Sequence, residues 1–162
     1  MKHFFAIFLF SILLTDVVSS QEEHILQKLR TIPGNYVSFS IDNMENIYLL
    51  SAFNQLKKLN NDGDSIAVYN NLKKLGDISI VDVSNPLKIL LYAKDYATIT
   101  LLDGMLNQKS IIDLRKKNMF NVSAAGLAYD GKIWIFDETD NNLKKIDENG
   151  NTILQTADFR QL

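Results

Sequence analysis

The sequence predicts an all-β protein assembled from about three copies of a four-stranded antiparallel unit, and three observations carry that reading. Short runs rich in Ile, Val, Leu, Tyr and Phe are separated by turn-forming Asn, Asp and Gly. The stretch LKKLNNDGDSI, Leu56 to Ile66, returns as LKKIDENGNTI, Leu143 to Ile153, 87 positions later (143 − 56). Landmarks between these two copies recur at half that interval, which makes the 87 two periods of about 43 to 44 residues.

The first segment lies outside the repeats. Lys2 and His3 lead into an apolar run, Phe4 to Leu14, interrupted by Ser11, and then into the polar and small residues Thr15 to Ser20. This reads as a secretory signal peptide over residues 1–20. Val18 and Ser20 meet the small-residue demand of the peptidase and place the cut between Ser20 and Gln21. The alternative is an uncleaved anchor, but an eleven-residue segment (Phe4 to Leu14) at about 1.5 Å per residue falls short of ~30 Å of hydrocarbon. No transmembrane span is therefore expected after signal cleavage. Residues 21–35 read as an N-terminal arm. Within it, Ile25, Leu26 and Leu29 share a helical face closed by Pro33-Gly34, although Ile25 and Leu29 would also share one side of a strand.

From Tyr36 onward the signal is β throughout. In the first unit, residues 36–76, Val37, Phe39 and Ile41 alternate with polar neighbours, and IYLLSA from Ile47 is a solid apolar run. Leu56 and Leu59 then bracket two lysines, and Ile66 and Val68 alternate again. Turns are expected at Asp42-Asn43, Asn60 to Gly63 and Asn70-Asn71, whose side chains tolerate the positive φ of tight hairpins. Residues 77–122 and 123–160 repeat the pattern. The first strand is taken to end at Asp42, Asp82 and Asp130, the second to open at IYLL, LKILLY and IWIF, and the third to end at Asn60, Asp103 and Asp147.

A unit of this size, with four short antiparallel strands, matches one blade of a β-propeller. Strands sandwiched between blades need apolar residues on both faces, which IYLL, KILLY and IWIF supply; Trp134 is accordingly expected in the core. The pairs Lys57-Lys58 and Lys144-Lys145 are expected on solvated outer strands, where lysines also discourage edge pairing. Propellers close with roughly four to eight blades, and about 142 residues after the signal (162 − 20) supply about three. The blades are thus expected to be part of a larger propeller, with self-association through open blade faces as another way to cover them. Those faces would carry Val37, Phe39 and Ile47 at one end and Ile133 and Ile135 at the other.

The stretch GLAYDGKIWIFDETDNNLKKIDENGNTI (Gly126 to Ile153), echoed in FSIDNMENIYLL and SIVDVSNPLKILL, resembles the blades of bacterial NHL-like and YVTN-like β-propellers, in particular exported six-bladed forms. The resemblance extends over about Tyr36 to Phe159. It implies architecture more than activity, because such blades serve as binding scaffolds and also build sugar-acid lactonases.

Chemistry is sparse. A formal charge of −2 with scattered lysines offers no basic footprint, so no nucleic-acid partner is expected. The chain has no cysteine, hence no disulfide staple and no lipidated cysteine, and His24 is the one histidine left after cleavage. This leaves no Cys/His dyad, Ser/His/Asp triad or zinc constellation, and no catalytic or cofactor-binding residues are assigned. The Asn60 to Asp64 stretch lacks the first aspartate and the final glutamate of a calcium loop and reads as a hairpin. Asp137, Glu138 and Asp140 are the densest acidic cluster and the candidate ligands for calcium, against the default of a solvated loop. The expected function is an exported, non-catalytic propeller in the periplasm, or in the extracellular space or outer envelope, of a bacterium, binding a partner protein or envelope component. The alternative is a divalent-metal-dependent propeller hydrolase of the lactonase type.

Overall fold

The computed structural model describes residues 28, 30–70 and 76–161. The expected signal peptide, His24, most of the arm and the Asn71 side of one expected turn lie outside them. The chain divides into two units, Met1–Thr31 and Ile32–Leu162, and every strand belongs to the second. No helix among the described residues is long and apolar enough to cross a membrane.

Among the described residues, twelve strands form three antiparallel meanders. The first comprises β1 (Tyr36–Ile41), β2 (Ile47–Ser51), β3 (Leu56–Leu59) and β4 (Ser65–Tyr69). The second comprises β5 (Ile80–Asn85), β6 (Lys88–Ala93), β7 (Thr98–Asp103) and β8 (Gln108–Asp113). The third comprises β9 (Val122–Leu127), β10 (Ile133–Asp137), β11 (Asn142–Ile146) and β12 (Thr152–Gln155). Each sheet runs in simple sequence order, and the three are propeller blades 1, 2 and 3.

The hairpins explain why the repeat is legible. The Asp42 carboxylate accepts the backbone N–H groups of Met44 and Asn46, both at 2.9 Å, and also binds the Asn46 side chain. Asp103 does the same with Met105 and Asn107, and Asp147 with Asn149 and Asn151. An aspartate followed four residues later by asparagine thus closes the turn with its own side chains. The geometry leaves the fourth residue left-handed, as at Gly63 (φ 80°) and Gly150 (φ 77°), where no Cβ resists it. Leu106 adopts φ 60° at the matching place, and its burial against blade 1 offsets the strain.

One landmark is corrected. The first hairpins open at Asp42, Asn85 and Ala128, each 43 residues from the last (85 − 42 and 128 − 85), and not at Asp82 and Asp130. Asp82 lies inside β5 with a different task described below. Asp130 sits beyond β9, inside the turn.

These turn carboxylates give acid sensitivity. The N–H of Asn107, with the Asn107 amide and Met105 N–H, holds the Asp103 carboxyl down at about 2, and the Asn151 N–H lowers Asp147 in the same way. Burial opposes the shift at Asp42, but hydrogen bonds from Asn46, Met44 and Tyr48 outweigh it. Groups with a depressed folded pKa stabilise the fold above their unfolded value, and that contribution is lost as pH falls through the folded value. Urea midpoints are therefore expected to be flat above about pH 5 and to fall between about pH 4 and pH 2. A midpoint unchanged down to pH 2 would show that these turns do not hold the blades.

Two apolar layers fill the spaces between blades. Tyr48, Leu50 and Leu56 of blade 1 meet Val83, Ile89 and Leu91 of blade 2. Leu90, Tyr92 and Ile99 on the other side of blade 2 meet Ile133, Ile135 and Ile146 of blade 3. Strand β6 is therefore buried on both faces, as its unbroken apolar run demands. Each blade has an upstream face, toward the lower-numbered neighbour, and a downstream face.

This geometry corrects three expectations. Lys58 and Lys144 are not on solvated outer strands; they lie on third strands, at 7% and 6% exposure, wedged between blades. Lys58 donates from Nζ to the Gly104 carbonyl of blade 2 at 2.9 Å and sits 5.3 Å from the centre of the Tyr48 ring. Ile133 and Ile135 are not on an open face but pack against blade 2. Trp134, pointing the other way from the same strand, is only half-buried on the downstream face of blade 3. Strand β10, expected to be buried on both faces, is covered on its Ile133–Ile135 face and half-open on its Trp134–Phe136 face.

Candidate functional site

The first strand of each blade is its innermost, and neighbouring first strands are joined by side chains. The Ser40 hydroxyl donates to the Val81 carbonyl at 3.5 Å, linking blade 1 to blade 2. Asp82 links blade 2 to blade 3: one carboxylate oxygen accepts the Leu127 N–H at 2.6 Å, and the other accepts the Ser84 N–H at 2.9 Å. Gly126 allows this approach, since a Cβ there would stand 3.3 Å from the Asp82 carboxylate. Lys88 adds a second strap, donating to the Gly131 carbonyl at 2.6 Å and to Glu148 at 2.5 Å.

These straps hold three hairpin tips together. Asn43, Pro86 and Tyr129 occupy the same place in successive blades, 43 residues apart (86 − 43 and 129 − 86). With Ser84, Asn85, Leu127 and Ala128 they line an open cleft of about 380 Å³. Tyr129 is fully exposed at its rim. Amide, hydroxyl and aromatic groups presented together on rigid hairpins can hydrogen-bond and stack on a ligand without a large ordering cost. Of the cleft residues the sequence singles out only Asn43, as part of an expected turn and not as a site, although the 43-residue spacing marks the three tips.

The acidic cluster is arranged otherwise. Asp137 is fully buried and accepts a hydrogen bond from Lys144 Nζ at 2.7 Å and one from the Thr139 N–H at 3.0 Å. Asp140 pairs with the same ammonium, while Glu138 is exposed and its N–H donates to the Asn121 carbonyl at 2.8 Å. Burial works against the Lys144 charge, but the bonds to Asp137 and Asp140 prevail and raise its pKa. The ammonium thus stands between two of the three carboxylates proposed as calcium ligands, and among the described residues no group of three His, Cys, Asp or Glu side chains is placed to hold a metal ion. At this same end of the blade 2–3 junction, away from the cleft, burial pushes the Tyr92 hydroxyl up to about 12, and it donates to the carbonyl of Val122, the register partner of Asp137, at 2.6 Å.

Comparison with solved structures identifies the fold. The chain superposes on virginiamycin B lyase from Staphylococcus aureus with a TM-score of 0.56 and 11% identity, over 78% of this chain and 43% of the lyase. BamB from Moraxella catarrhalis matches at 0.53 and 16%, over 74% of this chain and 36% of BamB. A structure of YCF48 bound to D1 peptide matches at 0.55 and 9%, over 83% and 44%. The fold is a β-propeller fold. The chain spans less than half the length of each of these proteins. No protein-family model and no curated protein matches the sequence.

Proposed function

We propose that the protein is an exported, non-catalytic propeller scaffold that binds a partner protein or envelope component through the hairpin cleft around Asn43, Asn85 and Tyr129. The observation that carries this reading is the cleft: three equivalent tips, linked by Ser40 between blades 1 and 2 and by Asp82 and Lys88 between blades 2 and 3, offer amides and an exposed tyrosine to an incoming chain. The peptide-bound state of YCF48, a protein of the same fold, is consistent with it. Export rests on the Phe4 to Leu14 segment and predicts a mature N-terminus at Gln21.

The test uses tagged protein recovered from the cell envelope, with its N-terminus sequenced and its bound proteins compared between wild type and Tyr129→Ala. A specific partner retained by wild type and weakened at least tenfold by Tyr129→Ala is the expected result. Recovery of Met1 at the N-terminus would remove export from the proposal. Equal retention of every bound protein by the two forms would remove the cleft.

A further inference from the structure

The end of blade 3 repeats the connector that joins blade 2 to blade 3. After β8, Asp113 accepts the Arg115 N–H at 3.1 Å, and the Leu114 N–H donates to the carbonyl of Ala97, a left-handed residue (φ 48°) just before β7. After β12, Asp158 accepts the Arg160 N–H at 2.9 Å, and the Phe159 N–H donates to the carbonyl of Asn141, a left-handed residue (φ 49°) just before β11. Asp158-Phe159-Arg160 is therefore the equivalent of Asp113-Leu114-Arg115. The two apolar residues differ in what covers them. Leu114 is fully buried between blades 2 and 3, whereas Phe159 stacks on Phe136 (centroids 6.1 Å apart) and stays 39% exposed. Blade 3 thus carries a finished downstream face, with Trp134, Phe136, Leu143 and Leu154 beside Phe159, built on the pattern of the covered downstream faces of blades 1 and 2.

The matching half exists on the same molecule. The upstream face of blade 1 exposes Val37 (63%), Phe39 (69%), Ile41 (57%), Ile66 (38%) and Val68 (47%). A sheet face that exposes this many large apolar side chains is unusual on a soluble monomer unless it is an interface. Both junctions inside the molecule join a downstream face to an upstream face, and three blades are too few to bend round and join their own ends.

We propose that the downstream face of blade 3 docks on the upstream face of blade 1 of a second copy, and that two copies close through two such junctions into a six-bladed ring. The contact is head-to-tail, but a twofold axis closes it after two subunits, so it forms a ring and not a fibre. Six blades lie inside the range in which propellers close.

Sedimentation equilibrium of the purified chain decides the matter. A dimer at micromolar concentration is expected. Phe39→Asp, on the upstream face, and Phe159→Asp, on the downstream face, are each expected to weaken it by about 30-fold or more. An equimolar mixture of the two variants keeps one intact junction and is expected to recover part of the dimer that neither forms alone. Val68→Lys and Leu154→Lys, at exposed outer-strand positions, give the same readout should an aspartate variant fail to fold. A wild-type monomer at tens of micromolar would overturn the proposal, whether or not further blades cover these faces in another setting. Loss of association through only one of the two faces would overturn it as well, because it would mean like faces pairing with like.

Discussion

Lys144→Ala is expected to destabilise the fold by about 3–5 kcal/mol, the range for breaking a buried ion pair from one side. The Lys144 side chain is 8% exposed and that of Asp137 is 1% exposed, with 2.7 Å between ammonium and carboxylate. Removing the ammonium leaves Asp137 charged in the blade 2–3 layer, beside Ile133 and Ile135, with only the Thr139 N–H to stabilise it. Asp140, more than half exposed, recovers its solvation and contributes little to the loss. The adjacent Lys145 provides the control. Its partner Asp130 is 52% exposed and the Lys145 side chain, at 20%, lies on the open side of the blade, so Lys145→Ala leaves a carboxylate that water can solvate and is expected to cost at most about 1 kcal/mol. Urea denaturation of both variants checks the contrast. The raised pKa of Lys144 fixes the sign of its pH dependence: its contribution is complete below the ordinary 10.5 and is lost as pH climbs through the higher folded value. The deficit of Lys144→Ala relative to wild type should therefore persist from neutral pH to about pH 10 and shrink above it. Equal losses for the two lysines would mean that Asp137 is hydrated and the layer is not dry.

The lysine pairs show where sequence reasoning succeeds and where it stops. Period, strand number and the turns closed by Asp and Asn are legible because each depends on local chemistry, whereas the first hairpins of blades 2 and 3 open at Asn85 and Ala128 and not at the expected Asp82 and Asp130. Which of two adjacent lysines is buried depends on which blade face has a neighbour, and that is a property of the assembled stack. Lys144 lies on the upstream face of blade 3 and is buried, whereas Lys57, its counterpart 87 residues earlier (144 − 57), lies on the upstream face of blade 1 and is half-exposed. The acidic cluster misled for a related reason. Asp137 and Lys144 are seven positions apart in the chain (144 − 137), but the β10–β11 register, pairing Asp137 with Asn142 and Ile135 with Lys144, brings them together on one face. The cleft was invisible to a search for reactive residues, because its members are ordinary turn residues whose shared position, not their chemistry, brings them together.

The second large effect separates neighbours on β10. Ile135→Ala is expected to cost about 2–5 kcal/mol, since Ile135 is 1% exposed within the layer between blades 2 and 3 and its truncation leaves a cavity among Leu90, Tyr92 and Ile146 that packed strands fill poorly. Trp134→Ala removes a larger side chain, yet one that is half-buried on the open face with Lys145 Nζ lying 5.4 Å from the centre of its ring. The lost contact is worth about 1–2 kcal/mol in a dilute sample, less than the smaller isoleucine. Concentration then distinguishes the two further. Trp134 belongs to the face proposed to meet a second copy, so mass action should make the cost of Trp134→Ala grow with protein concentration, while that of Ile135→Ala stays constant. Thermal melts of both variants at about 1 and 100 μM measure this, with any difference of less than about 2 °C between concentrations counted as none. A tryptophan variant already worse than the isoleucine variant at the lower concentration would mean that blade 3 presents the opposite face to blade 2. A concentration-independent tryptophan effect, smaller than that of Ile135→Ala, would keep the blade orientation and remove Trp134 from the dimer face.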